Sequence, residues 1–126
     1  MLEILRVVHN NRFMHRDIKP DNIMVGIKPE DRNKIFLCDF GLGKYWVTNR
    51  KDPNCREHRP FRDKLTERVG TLRYMSLNQH NFIEFTRRDD LWNLAYTILY
   101  FLRKGKLPWS GLGGGMTDNE REAKAT

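Results

Sequence analysis

His15-Arg16-Asp17-Ile18-Lys19-Pro20-Asp21-Asn22 is the stretch from which the rest of the chain is read. It sets a carboxylate at Asp17, an ammonium at Lys19 and a side-chain amide at Asn22 on one short loop. A base, a cation and a neutral oxygen donor at this spacing are the groups that phosphoryl transfer uses: one to take a proton, one to balance phosphate charge, one to help hold a hard cation. Asp39-Phe40-Gly41 follows at short range and supplies a second oxygen donor.

Upstream of the loop, Met1, Ile4, Leu5 and Val8 recur at helical spacing, and Asn10-Asn11 suit a helix end. No N-cap residue precedes this helix, as expected if the chain begins partway through a longer one. Downstream, Ile23-Met24-Val25 and Ile35-Phe36-Leu37-Cys38 are short apolar runs separated by a polar segment, 26–34, that contains Pro29. They predict a small hairpin. Its strands put Asn22 at the start of one and Asp39 at the end of the other, so the turn serves to bring two oxygen donors together, as a hard cation would need.

Residues 39–78 show little periodicity, and so long an irregular segment in a compact domain is usually functional. Between residues 44 and 73 it carries nine Lys/Arg against four Asp/Glu, so most of the chain's net charge of +7 lies there. From Asp90 to Leu102 apolar residues surround most of the helical circumference, which predicts a buried helix over about 90–104. Asp89 and Asp90 suit its N-terminus, and Arg103-Lys104-Gly105 its end. Leu107-Pro108-Trp109 reads as a rigid apolar turn, 111–115 as a flexible Gly-rich patch, and the polar tail as a partial helix from Thr117 or Asp118.

With 126 residues, 39% of them hydrophobic, the chain suits one domain with a modest core. Its basic balance admits nucleic acid, anionic membrane or acidic protein partners. No aromatic–basic alternation or zinc-finger spacing supports a specific nucleic-acid reader, and no apolar run is long enough to span a bilayer. Two cysteines, Cys38 and Cys55, give neither a disulfide framework nor a metal spacing, and a reducing compartment fits, cytoplasmic or nuclear. The first eight residues carry Glu3 and Arg6 and do not read as a signal peptide.

The loop, the Asp-Phe-Gly, Gly70-Thr71-Leu72-Arg73-Tyr74-Met75-Ser76-Leu77-Asn78 and Arg87-Arg88-Asp89-Asp90-Leu91 together resemble the casein kinase 1 family of serine/threonine protein kinases over residues 1–112. Most protein kinases end this segment with Ala-Pro-Glu; Ser76-Leu77-Asn78 looks like the Ser-x-Asn of the casein kinase 1 group. Tau-tubulin kinases share several of these features, and Leu91-Trp92 is closer to them, so the branch stays open. The resemblance implies a mainly α, α+β kinase-like fold: a C-lobe of helices with a small β-hairpin, truncated at both ends, with residues 113–126 as a separate tail.

By the same resemblance ATP and Mg²⁺ are the cofactors and Asp17 is the catalytic carboxylate; as an isolated residue it would read as a loop cap. Lys19 stabilises charge on the γ-phosphate, Asn22 and Asp39 hold the metal, and Thr71 bonds Asp17 and Lys19. Met24 and Cys38 line the adenine pocket or belong to an apolar core. His15 and Asp90 are structural, Asp90 holding the catalytic-loop backbone. Arg73, with Lys44 near the same region, binds an anion on acidic or pre-phosphorylated protein substrates, or is a solvent-exposed arginine; the family lysine after Pro-Trp-x-Gly-Leu is absent, since Gly113 follows Leu112, and Lys106 is the substitute.

Two departures shape the functional expectation. No Gly-x-Gly-x-x-Gly loop and no Val-Ala-x-Lys strand precede His15, so weak ATP binding and negligible transfer are expected of the chain by itself. The final C-lobe helices are also missing, which predicts exposed apolar area. The chain thus reads as part of a kinase or, alternatively, as a non-catalytic kinase module that binds acidic or phosphorylated partners through its basic segment.

Overall fold

The computed structural model describes residues 1–110. Helix α1 runs Leu2–Asn10 and turns Leu5 inward, while Leu2 and Val7 stay exposed. The predicted hairpin is present as β2 (Ile23–Val25) antiparallel to β3 (Ile35–Leu37), in the register Ile23↔Leu37 and Val25↔Ile35. Cys38 extends the ladder by donating its N–H to the Asn22 carbonyl at 2.8 Å. A second pair, β1 (Phe13–Met14) with β4 (Lys44–Tyr45), was not expected from the sequence. Two-residue strands are too short to show a period.

Residues 39–78 are mostly irregular, as expected, but cross-linked by backbone bonds. Val47 bridges His58, Leu65 N–H donates to the Phe82 carbonyl, and Glu84 N–H to that of Arg62. The segment closes in a 3₁₀ turn, Leu72–Tyr74, and the short helix α2, Leu77–His80. Ser76 caps α2 through a reciprocal bond with Gln79.

Helix α3 spans Arg87–Leu102, beginning three residues before the expected start. Its capping contact comes from Asp89, which accepts the Thr86 N–H at 2.8 Å; Asp90, read as a second cap, turns elsewhere. The expectation of an all-round buried helix is corrected. The buried positions are Asp89, Asp90, Asn93, Leu94 and Thr97, whereas Leu91, Trp92, Ile98, Phe101 and Leu102 are exposed among the described residues. The helix buries a polar stripe because that stripe bonds to the loops. Asn93 donates to the Tyr74 carbonyl and to Gln79, and Asp89 accepts from Ser76 Oγ at 2.7 Å and Asn78 Nδ2 at 3.3 Å. Both polar residues of Ser76-Leu77-Asn78 therefore serve to grip α3.

Among the described residues two apolar clusters stand out in the core. Met14, Trp46, Val47 and Phe85 form one, and Leu5, Ile18 and Leu94 the other. Met14 and Ile18 lie immediately on either side of His15-Arg16-Asp17, so the loop is anchored in one cluster at its start and in the other at its end. The Gly-rich patch and polar tail expected over 111–126 lie outside the described residues.

Candidate functional site

His15, fully buried, sets the shape of the loop. The Asp17 N–H donates to His15 Nδ1 at 3.1 Å, so Nδ1 is the unprotonated nitrogen and Nε2 carries the hydrogen, which it donates to the Cys38 carbonyl at 2.7 Å. One ring thus links the backbone of Asp17 to the residue before Asp39. Phe40 packs edge-on against the same ring at 4.8 Å between centroids.

Asp90 fixes the loop from beneath. Its Oδ2 accepts from His15 N–H at 3.1 Å and from His9 Nε2 at 2.7 Å, and its Oδ1 from Arg16 N–H at 2.9 Å. Arg16 takes a left-handed conformation, φ +71°, which turns consecutive N–H groups toward one carboxylate. Its Nε donates to the Leu42 carbonyl at 2.7 Å.

At the top of the loop, Thr71 Oγ donates to Asp17 Oδ1 at 2.8 Å and accepts from Lys19 Nζ at 2.9 Å. Lys19 Nζ also stands 3.7 Å from Asp17 Oδ2. Asp17 and Thr71 are 54 residues apart in sequence, and Gly70 permits their meeting. Gly70 has φ +110°, and a Cβ there would sit 3.0 Å from the Arg16 carbonyl and from Gln79 Nε2.

Asn22, buried, donates to the Asp17 carbonyl at 2.8 Å and lies 3.4 Å from Asp17 Oδ2. These contacts orient the amide and leave its Oδ1 to accept. Asp39, exposed, adopts φ +57° and accepts the Gly41 N–H on Oδ1 at 3.2 Å. The β2–β3 ladder ends between these two residues. A buried amide oxygen and an exposed carboxylate are hard donors that fit Mg²⁺ completed by phosphate and water. Among the described residues no group of three His, Cys, Asp or Glu side chains could hold a metal by itself.

The remaining predicted residues separate. Met24 is 53% exposed, and Cys38 is half-buried. Arg73 stands in the 3₁₀ turn two residues after Thr71, its carbonyl accepting from Trp109 Nε1 at 2.9 Å. Lys106 is exposed beyond the end of α3. Lys44 is drawn into another group: its Nζ lies 3.6 Å from Glu84, which also receives both arms of Arg62 at 2.9 and 3.1 Å. Burial lowers the Lys44 pKa from its ordinary value, and Arg59 adds to the effect. Arg16 is lowered mainly by burial, opposed by Asp90 and Glu84. The Arg62 hydrogen bond holds the Glu84 carboxyl below its usual range. The organising role of Glu84 was missed in the sequence; the only signal was a lone acid between two basic runs.

The chain is similar over residues 1–125 to the family described as Protein kinase domain. It is 42% identical over 114 residues, 89% of its length, to Casein kinase I homolog 2 of Schizosaccharomyces pombe, and spans about 25% of that relative.

Proposed function

Since this chain belongs to the protein kinase family, in its casein kinase 1 group, we propose that it carries the catalytic loop and metal-binding segment of an enzyme that moves the γ-phosphate of ATP to a protein serine or threonine. The observation that carries this reading is the Asp17–Thr71–Lys19 cluster, held at 2.8 and 2.9 Å.

Asp17 divides its work between two oxygens. Oδ1 is held by Thr71, while Oδ2, only loosely approached by Asn22 and Lys19, accepts the proton of the acceptor hydroxyl. As the hydroxyl O–H bond breaks toward Asp17, the oxygen bonds to the γ-phosphorus and the bond to the ADP oxygen breaks. Lys19 sets positive charge beside Asp17, where the charge on the transferring group builds up. Asn22 and Asp39 would hold Mg²⁺, which when bound neutralises phosphate charge. Met24 and Cys38 are proposed to face the adenine. Arg73, in the same turn as Thr71, is proposed to favour acidic or phosphorylated acceptors, with Lys106 in reserve; Lys44 contributes less because Glu84 already engages it.

Transfer from labelled ATP to an acidic protein, measured in a version with a complete nucleotide-binding lobe, tests the reading. Asp17→Asn should lower the rate at least about a hundredfold. Unchanged transfer would remove Asp17 from the mechanism.

A further inference from the structure

Away from the Asp17–Thr71 cluster, the chain forms a groove of about 570 Å³ between residues 58–61, the end of α1 and the start of α3. Its size is that of ligand-binding clefts rather than of a packing defect. The apolar part is provided by Met14, Phe85 and Leu91, and the polar part by Arg59, Arg87 and Arg88. Glu84, the carboxylate at this groove, is already held by both arms of Arg62. It leaves Arg59 unsatisfied: Arg59 Nε is 3.9 Å from Glu84, buried, and without a hydrogen-bond partner. Arg87 is fixed by the Trp46 ring, 3.9 Å beneath its guanidinium carbon, a contact that leaves its N–H groups able to donate outward.

We propose that this groove docks an acidic peptide segment bearing one bulky apolar side chain, contributed by a protein partner. Charge complementarity selects the acid: of the three lining arginines Arg88 lies 3.7 Å from Asp89, while Arg59 and Arg87 face one lining carboxylate, Glu84, that Arg62 already engages. The apolar floor selects the side chain. A nucleic acid or free phosphate would match the arginines but leave the exposed Leu91, and Phe61 which also lines the groove, facing a polar ligand. A purely apolar segment would bury the arginines without partners. The site is separate from the anion-binding role proposed for Arg73, and it does not require the chain to transfer phosphate.

The test is fluorescence anisotropy of a labelled peptide with one phenylalanine flanked by two aspartates on each side, titrated with the 126-residue chain. Saturable binding is expected, weakened about tenfold or more by Arg88→Glu, by Leu91→Asp, or by replacing the peptide's phenylalanine with serine. Arg88 and Leu91 are exposed, and circular dichroism of each variant confirms that it is folded. Binding that survives both Arg88→Glu and Leu91→Asp, or that is indifferent to the peptide's phenylalanine, overturns the proposal. So does binding lost with Arg73→Ala alone, which places the peptide at the other anion site. Equal, groove-dependent binding of single-stranded DNA would make the groove a polyanion site instead. If the peptide binds only after residues 111–126 are deleted, the occupant is the chain's own tail and the partner assignment falls.

Discussion

The His15 ring donates to the Cys38 carbonyl at 2.7 Å while accepting the Asp17 N–H at 3.1 Å, so a single side chain sets the spacing between the loop that carries Asp17 and the segment that carries Asp39. His15→Ala leaves that amide and that carbonyl without their partner, at roughly 1–3 kcal/mol for each group that water cannot reach. A lower urea midpoint with an unchanged slope is the expected result. An unchanged midpoint would mean that the backbone holds the loop unaided.

Asp90 accepts from three donors, two of them backbone N–H groups of the loop. Asp90→Ala strands them and should cost about 3–5 kcal/mol, enough to unfold a marginal domain. Asp90→Asn retains one acceptor and should cost less. Hydrogen exchange at the His15 and Arg16 amides distinguishes the two, with protection lost in the alanine variant and partly kept in the asparagine one.

Thr71 is expected to act through its hydroxyl. Thr71→Val removes both the donor to Asp17 and the acceptor for Lys19 and should lower kcat about 10- to 100-fold in an active kinase, whereas Thr71→Ser should retain most of the rate. Equal rates for the serine and valine variants would show that the hydroxyl is dispensable.

How far these residues were legible in the sequence depended on how far apart their partners lie. Asp17, Lys19 and Asn22 share one loop, and the apolar runs either side of 26–34 announced the hairpin that joins Asn22 to Asp39. The grip of Asp90 on His15 and Arg16 crosses 75 and 74 residues and entered only through family resemblance; local chemistry suggested a helix cap. The face of α3 was misjudged because hydropathy records a preference for burial, whereas Asp89, Asp90 and Asn93 are buried by their hydrogen bonds. Lys44 was placed near the Arg73 anion site through family resemblance, and its 3.6 Å approach to Glu84, 40 residues on, had no local signal.

Glu84 predicts a response to acid. Its native pKa is held below the ordinary 4.5, chiefly by the Arg62 hydrogen bond, so its contribution to stability is complete above that value and is lost as pH falls through the lower native one. Wild type should melt above Glu84→Gln near neutrality, with the gap closing as pH falls below about 4. A gap independent of pH would assign the difference to packing.

Phe101 and Leu102 are 56% and 76% exposed. Changing both to lysine should alter stability by no more than about 0.5 kcal/mol each while reducing self-association and dye binding, as read by sedimentation and a hydrophobic fluorophore. A large loss of stability would show that residues beyond 110 pack on this face.

The long span between Asp90 and the loop it holds has a consequence for synthesis. A ribosome extends the chain at about 5–20 residues per second, so His15 and Arg16 emerge several seconds before the carboxylate that organises them. During that interval the nascent loop lacks its two backbone bonds to Asp90. The carboxylate that ties the loop down arrives late, when the first turn of α3 closes on a segment that left the tunnel before it.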